Sequence, residues 1–206
     1  MRKILIGSAF ALAAWPAWAQ TQQQSDWCAS PTATDDQTIA GCTALIESGR
    51  ENTNSLAADY DNRAFSHNNK QLYDQAIADA TRAIALAPNN YNSYNNRGNA
   101  YDDKGLHDLA IADYTKSIAL RPNNADAYAN RADVYHEKGE DALGLPDAEK
   151  GVSLGPSDAK HLTIRGRIYA AVGQRDKAIA DFRAALKLDP NHDTAKQGLV
   201  RLGIKP

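Results

Sequence analysis

Phe, Trp and sulfur-bearing side chains are scarce in this 206-residue chain, which has three Phe, three Trp, one Met and two Cys, the aromatics being mostly its nine Tyr. A single thick globular core would need more large apolar groups than that, so thin layers repeated along the chain are expected instead. Beyond residue 19 no apolar run approaches the ~20 residues that cross a bilayer, which excludes insertion of the processed chain into a membrane. Neither sign of charge dominates: 23 basic residues face 25 acidic ones. Without a clustered positive footprint there is no electrostatic case for a nucleic-acid partner. The motifs of catalysis are missing too. No G-x-S-x-G, phosphate loop, H-E-x-x-H or recognisable acid pair occurs, so no catalytic residue is named, no cofactor or metal is expected, and the chain is read as a non-enzyme. One histidine grouping, His136 near Asp102, Asp133 and Glu137, has the right residue types for a metal, but its spacing fits no metal motif.

What is present begins with an address. Met1-Arg2-Lys3 is a basic head, residues 4–14 are uncharged, and Ala17-Trp18-Ala19 supplies a small–any–small cleavage pattern. Residues 1–19 are therefore expected to be a secretory signal cut after Ala19, which sends the chain to the periplasm or outside the cell. The rival reading, a membrane anchor, fails on length and on Pro16. Losing Arg2 and Lys3 leaves 21 basic and 25 acidic residues, a net charge of −4. Cys28 and Cys42 are the two cysteines, and in an exported chain they read as a disulfide worth about 3 kcal/mol in the chain-entropy view. A redox or metal pair is disfavoured by the spacing and by the lack of a neighbouring His. The Gln-rich residues 20–25 are expected to be a disordered lead.

The strongest signal is a period of 34 residues. Pro88, Pro122, Pro156 and Pro190 keep this step, as do Arg63, Arg97, Arg131 and Arg165, and also Asp79, Asp113, Asp147 and Asp181. Leu86, Leu120, Leu154 and Leu188 keep it as well. The units run 57–90, 91–124, 125–158 and 159–192. Each reads as two helices: in the second unit Tyr94, Gly98 and Tyr101 share a face, Lys104-Gly105 stops the helix, and Leu109, Ile111, Tyr114, Ile118 and Leu120 mark its partner before Pro122. A lone hairpin cannot bury its apolar face and must stack on neighbours.

Period, small residue, aromatic, alanine and proline together resemble the tetratricopeptide repeat. Tyr94, Gly98, Tyr101, Ala110, Tyr114 and Pro122 stand at its signature places, and Leu162, Gly166, Tyr169, Ala178, Phe182, Ala185 and Pro190 match in the fourth unit. The first unit departs at His67 and Ala80, and the third at Gly144 and Pro146; that proline should kink or shorten its helix. The resemblance implies an all-α right-handed superhelix. Residues 193–206 carry a capping helix with Leu199 and Leu202 on one side. Residues 20–56 hold a degenerate half-repeat: a lone second helix from Asp35 to Ser48, its partner replaced by an irregular segment around Trp27 and Pro31.

Each Arg of the series precedes its Asp by sixteen residues, where the family usually has leucine. This points to a ladder of Arg–Asp pairs between helices, fixing register more than adding stability. Leucine is then expected to be tolerated at Arg97, and alanine not; the alternative is an Arg row that binds an acidic ligand. The resemblance also implies a concave groove lined by first helices. It assigns Asp61, Phe65 and Asn68, then Asn95, Asn99 and Asp102, then Ala129, Asp133 and His136, and finally Thr163, Arg167 and Ala170. The family's two-carboxylate clamp survives here only at Asn99, Asn130 and Lys160, with Asn95 and Ile164 where two further bases belong. The leading expectation is an interaction module holding a protein or extended peptide. The rivals are an assembly factor acting through self-association or its outer surface, and an enzyme centred on His136.

Overall fold

The computed structural model describes residues 26–206, and among them every regular element is helical. The signal and the Gln-rich lead lie outside the described residues. Ten helices follow a short helical turn at residues 26–29: α1 (Asp35–Ser48), α2 (Thr53–Asn69), α3 (Tyr73–Leu86), α4 (Tyr91–Asp103), α5 (His107–Leu120), α6 (Ala125–Glu137), α7 (Asp141–Leu154), α8 (Ala159–Ala171), α9 (Arg175–Leu188) and α10 (Asp193–Arg201). The starts of α3, α5, α7 and α9 are 34 residues apart, and so are those of α4, α6, α8 and α10. Helix pairs α2–α3 through α8–α9 form the four hairpins.

Local chemistry sets these boundaries. After each second helix the chain makes a turn with proline at its second position, closed by backbone bonds such as Asn90 N–H to Ala87 O at 3.0 Å and Asn124 N–H to Arg121 O at 3.0 Å. The fixed φ of proline suits that place. The turn residue then caps the next helix: Asn90 accepts from the Asn92 amide at 3.1 Å and Asp158 from the His161 amide at 3.0 Å. Within hairpins the stop is a left-handed residue, Gly105, Gly139 or Gly173; the first hairpin uses Gln71 there at φ 60°, a strained choice for a residue with a Cβ.

The hairpins close through two complementary solutions. A Cβ on Gly98 would lie 2.7 Å from the Tyr114 ring, and one on Gly166 would lie 2.8 Å from Phe182, so the large ring requires the glycine. In the first and third hairpins the same two places hold Ala64 with Ala80 and Ala132 with Ala148, all four buried. Ala80 is thus matched to its partner across the hairpin. Pro146 does not shorten α7, which keeps fourteen residues like its counterparts. It sits in the second turn, where its missing N–H forgoes the single bond to the Ala142 carbonyl. The close seat of Gly144, whose Cβ would meet the Ala132 carbonyl at 2.9 Å, holds that turn against α6.

Each Arg makes a two-pronged bond to its Asp: Arg63 to Asp79 at 2.8 and 2.7 Å, Arg97 to Asp113 at 2.7 and 2.8 Å, Arg131 to Asp147 at 2.7 and 2.9 Å, and Arg165 to Asp181 at 2.8 and 2.8 Å. A third guanidinium nitrogen reaches the preceding hairpin. Arg97 donates to Thr81 at 3.2 Å and Arg131 to Thr115 at 2.8 Å, while Arg63 donates to Thr43 at 2.9 Å. Each of these three arginines therefore joins three helices. Arg63 also stacks over Tyr60, Arg97 over Tyr94 and Tyr101, and Arg165 over Tyr169.

Both ends are closed. At the N-terminus the Cys28–Cys42 disulfide, with S–S 2.08 Å, pins the opening segment to α1. That segment is helical at 26–29 rather than irregular. A Thr34–Gln37 capping box starts α1. Asp59 lies under the bridge, its Oδ1 3.2 Å from Cys28 Sγ and its Oδ2 buried without a partner. A disulfide sulfur has no proton to give, so burial and nearby Glu51 lift the Asp59 pKa to about 6. At the C-terminus Leu199 and Ala195 of α10 are buried with Phe182, shielding the last hairpin.

The expectation that leucine suffices at Arg97 does not survive this geometry, because Asp113 is 6% exposed and both its oxygens are spent on that guanidinium. Arg97→Leu alone strands a buried carboxylate and should cost about 3–5 kcal/mol. Adding Asp113→Leu should recover most of that loss. Urea denaturation of the two variants checks both outcomes; equal stability of Arg97→Leu and the parent chain contradicts this account of the ladder.

Candidate functional site on the concave face

The curvature follows from which helices touch. Successive first helices meet one another, α2 on α4, α4 on α6, α6 on α8 and α8 on α10, whereas among the described residues no second helix meets the next second helix. The array therefore bends towards α2, α4, α6 and α8, and their free faces line its inner side.

Polar side chains cross between these helices. Asn68 of α2 donates to Asp103 of α4 at 2.8 Å, and Asn96 donates to Asp61 at 3.1 Å. Asn99 Oδ1 receives both the Tyr114 hydroxyl at 2.9 Å and the Asn130 amide at 3.0 Å. Lys160 of α8 donates to Asn130 Oδ1 at 2.9 Å, and Arg167 to Asp133 at 2.6 Å. Together Asn68, Asn99, Asp102, Asp103, Tyr114, Asn130, Asp133 and Lys160 enclose a cavity of about 200 Å³ at the centre of the face. Burial, reinforced by the neighbouring Glu137, pushes the Asp102 pKa up to about 6; the bond to His107 opposes this, and Asp133 adds to it.

The expected groove residues do not form one site. Asn99, Asp102 and Asp133 converge on the central cavity. Asp61 and Phe65 instead line a larger one, about 380 Å³, beside the disulfide-bonded segment. There burial raises the Asp61 pKa against the lowering effect of the bond from Asn96. His136, Arg167 and Ala170 border a third, about 220 Å³, next to α10. Thr163 and Ala129 face inward and are buried, and the Thr163 hydroxyl is spent on the Ala159 carbonyl at 2.7 Å, so neither presents itself to a ligand. Asn95 lines none of these three cavities, and its Oδ1 is buried without a partner. Asp103, Asn96 and Tyr114 were not among the expected residues. Asn130 and Lys160 stood out only as remnants of the clamp.

The histidines are rearranged as well. His136 binds Asp141, Nδ1 to Oδ1 2.5 Å, not the acids of the expected grouping. His107 takes that place, 3.2 Å from Asp102 and 3.9 Å from Glu137. A second set of metal-capable types joins Asp126, Asp158 and His161. Its members already serve the start of α8: Asp158 caps it, and His161 Nε2 lies 3.0 Å from Asp126.

Profiles described as "TPR repeat" and "Tetratricopeptide repeat" match residues 98–139, 80–112 and 162–192. The Arabidopsis OM64 TPR domain is 30% identical, with 93% of that domain and 55% of this chain covered at TM-score 0.53. The chain belongs to the tetratricopeptide repeat family. TTC0263, a thermophilic TPR protein of Thermus thermophilus, superimposes over 82% of this chain and 91% of its own at TM-score 0.68 and 16% identity. The first TPR of Spaghetti (RPAP3) bound to the HSP90 peptide SRMEEVD is 29% identical over 55% of this chain and 90% of that one, TM-score 0.53. No curated relative matches. As a family member the chain is a repeat scaffold, not an enzyme.

Asp102 carries a measurable consequence. A carboxyl whose folded pKa exceeds its unfolded value binds its proton more tightly when folded, so stability falls as pH rises from about 4 to 6 and the penalty is complete above that. Asp102→Asn should therefore stabilise the fold at neutral pH by on the order of 1–2 kcal/mol and by little near pH 4. Denaturation midpoints across that range test it; a gain larger at low pH reverses the sign and refutes the cause.

Proposed function

We propose that the protein is an exported interaction module that holds a protein segment or extended peptide along its concave face. The observation that carries this is the pair of cavities on the inner side, one at the centre of the face and one beside the disulfide-bonded segment, both offering amide and carboxylate groups able to bond a peptide backbone and its side chains. The relative solved with the peptide SRMEEVD supports peptide capture as the mode. Export is supported by the N-terminal signal pattern together with the Cys28–Cys42 bridge, a linkage that persists in oxidising compartments.

Random-peptide display panned on the processed chain tests the binding mode. Selected peptides should lose about tenfold in affinity on Asn99→Ala with Asp133→Ala, the effect of removing charge-assisted hydrogen bonds. Arg183→Ala on the exposed outer helix should leave them bound. Peptides that respond only to the outer face would assign the interaction to the other side of the array. Export is tested separately by fractionating cells that express the full chain and sequencing the product, whose first residue should be Gln20.

A further inference from the structure

Around the central cavity, donors and acceptors are in unequal supply. Four of the side-chain donors are turned to neighbours, Asn68 to Asp103, Asn130 to Asn99, Tyr114 to Asn99 and Lys160 to Asn130, all within 3.0 Å, which leaves the Asn99 amide nitrogen as the donor with no protein partner among the described residues. The acceptors are not used up. Asp102, Asp103 and Asp133 each have one oxygen engaged, by His107, Asn68 and Arg167 respectively, which leaves the other of each pair. Asn68 Oδ1 is buried and has no partner at all. Three carboxylates thus share the cavity with a single ammonium, that of Lys160. Two of its walls, Tyr114 and Asn130, are 1% and 7% exposed and held by packing, while Asp103 and Lys160 lie exposed at its rim.

An occupant that satisfies this arrangement must bring donors and positive charge. A carboxylate, the group held by the family's clamp, would meet three acids and one base already turned to Asn130. We infer that the central cavity is a subsite for a basic side chain of the bound partner, a guanidinium or ammonium that bonds the free oxygens of Asp102, Asp103 and Asp133. This rests on the reading that the concave face holds the partner. A cavity of about 200 Å³ has room for roughly six waters, enough for a guanidinium and the end of its stem. Planar guanidinium fits paired carboxylates best, so arginine should be preferred to lysine.

The site also predicts its own pH dependence. Facing Asp102 are Glu137 and Asp133 of α6, His107 at the start of α5, Asp103 of its own helix and Lys160 of α8. Since its pKa stands at about 6, protonation below that value removes one of the charges a cation would use, and a bound cation would expel the proton.

Side-chain amide NMR of the processed chain, titrated with Nα-acetyl-arginine amide, tests the subsite directly. At about pH 7 the Asn68, Asn99 and Asn130 amide resonances should shift saturably. The lysine analogue should act more weakly and the uncharged citrulline analogue should not act. Affinity should fall severalfold near pH 5, and about tenfold on Asp102→Asn with Asp133→Asn, whose circular dichroism should match the parent. Equal shifts from citrulline, stronger shifts from N-acetylglycine through its free carboxylate, or unmoved amides would overturn the inference. Display peptides that need the concave face yet carry no basic residue would overturn it while leaving the groove reading intact; peptides indifferent to that face would remove the groove itself.

Discussion

A buried carboxylate cannot stand alone, and in this array that constraint is met by one guanidinium per hairpin. Asp79, Asp113, Asp147 and Asp181 are each nine-tenths buried or close to it, and each has both oxygens engaged by the arginine sixteen residues earlier. Because Arg97 and Arg131 also reach a threonine of the preceding hairpin, the pair that fixes one hairpin fixes its angle to the last. Desolvation cancels much of the attraction, so the ladder's contribution is to register more than to net stability. A one-turn slip between hairpins would leave a charge without its partner, and that penalty is what the alanine-rich interface could not supply by itself. Leucine at both places of a pair would pack but could not specify the neighbour.

Much of this was legible before any coordinates. A strict 34-residue beat in four residue types can only come from equivalent positions, and the helix starts keep that beat. Pairing of each Arg with its Asp followed from their constant separation. The threonine did not follow, although Thr81 and Thr115 keep the step, because its role depends on how one hairpin leans on the last. Thr43 is harder still to see: it lies one helical turn away from where the period would put it, since α1 belongs to a half-repeat with its own disulfide-set position. Pro146 misled in the opposite direction, because a missing N–H in one helical turn costs one bond while the hairpin around it stays packed.

The inner face was the least readable part, for a geometric reason. Asn68, Asp103, Asn130 and Lys160 come from four successive first helices, and only the rotation from one hairpin to the next decides which of their side chains converge. A list of outward positions cannot contain that rotation. It therefore merged three cavities into one groove, sent Thr163 and Ala129 outward, and placed His136 where His107 stands.

Each hairpin touches the next through the latter's first helix, which packs on both helices of the hairpin before it, and this has a mechanical meaning. With no contacts joining one outer helix to the next among the described residues, a change of curvature works on the inner seams crossed by asparagine, aspartate and lysine bonds and on the Arg97–Thr81 and Arg131–Thr115 bonds to the hairpin before. The molecule is in effect a leaf spring whose stiffness is shared between the arginine ladder and a few polar groups on the side where a guest would lie. A guest that bridges those seams would alter the curvature of the whole strip, so occupancy at the middle would be felt at the disulfide-closed end and at α10 through shape, without any wire of contacts between them.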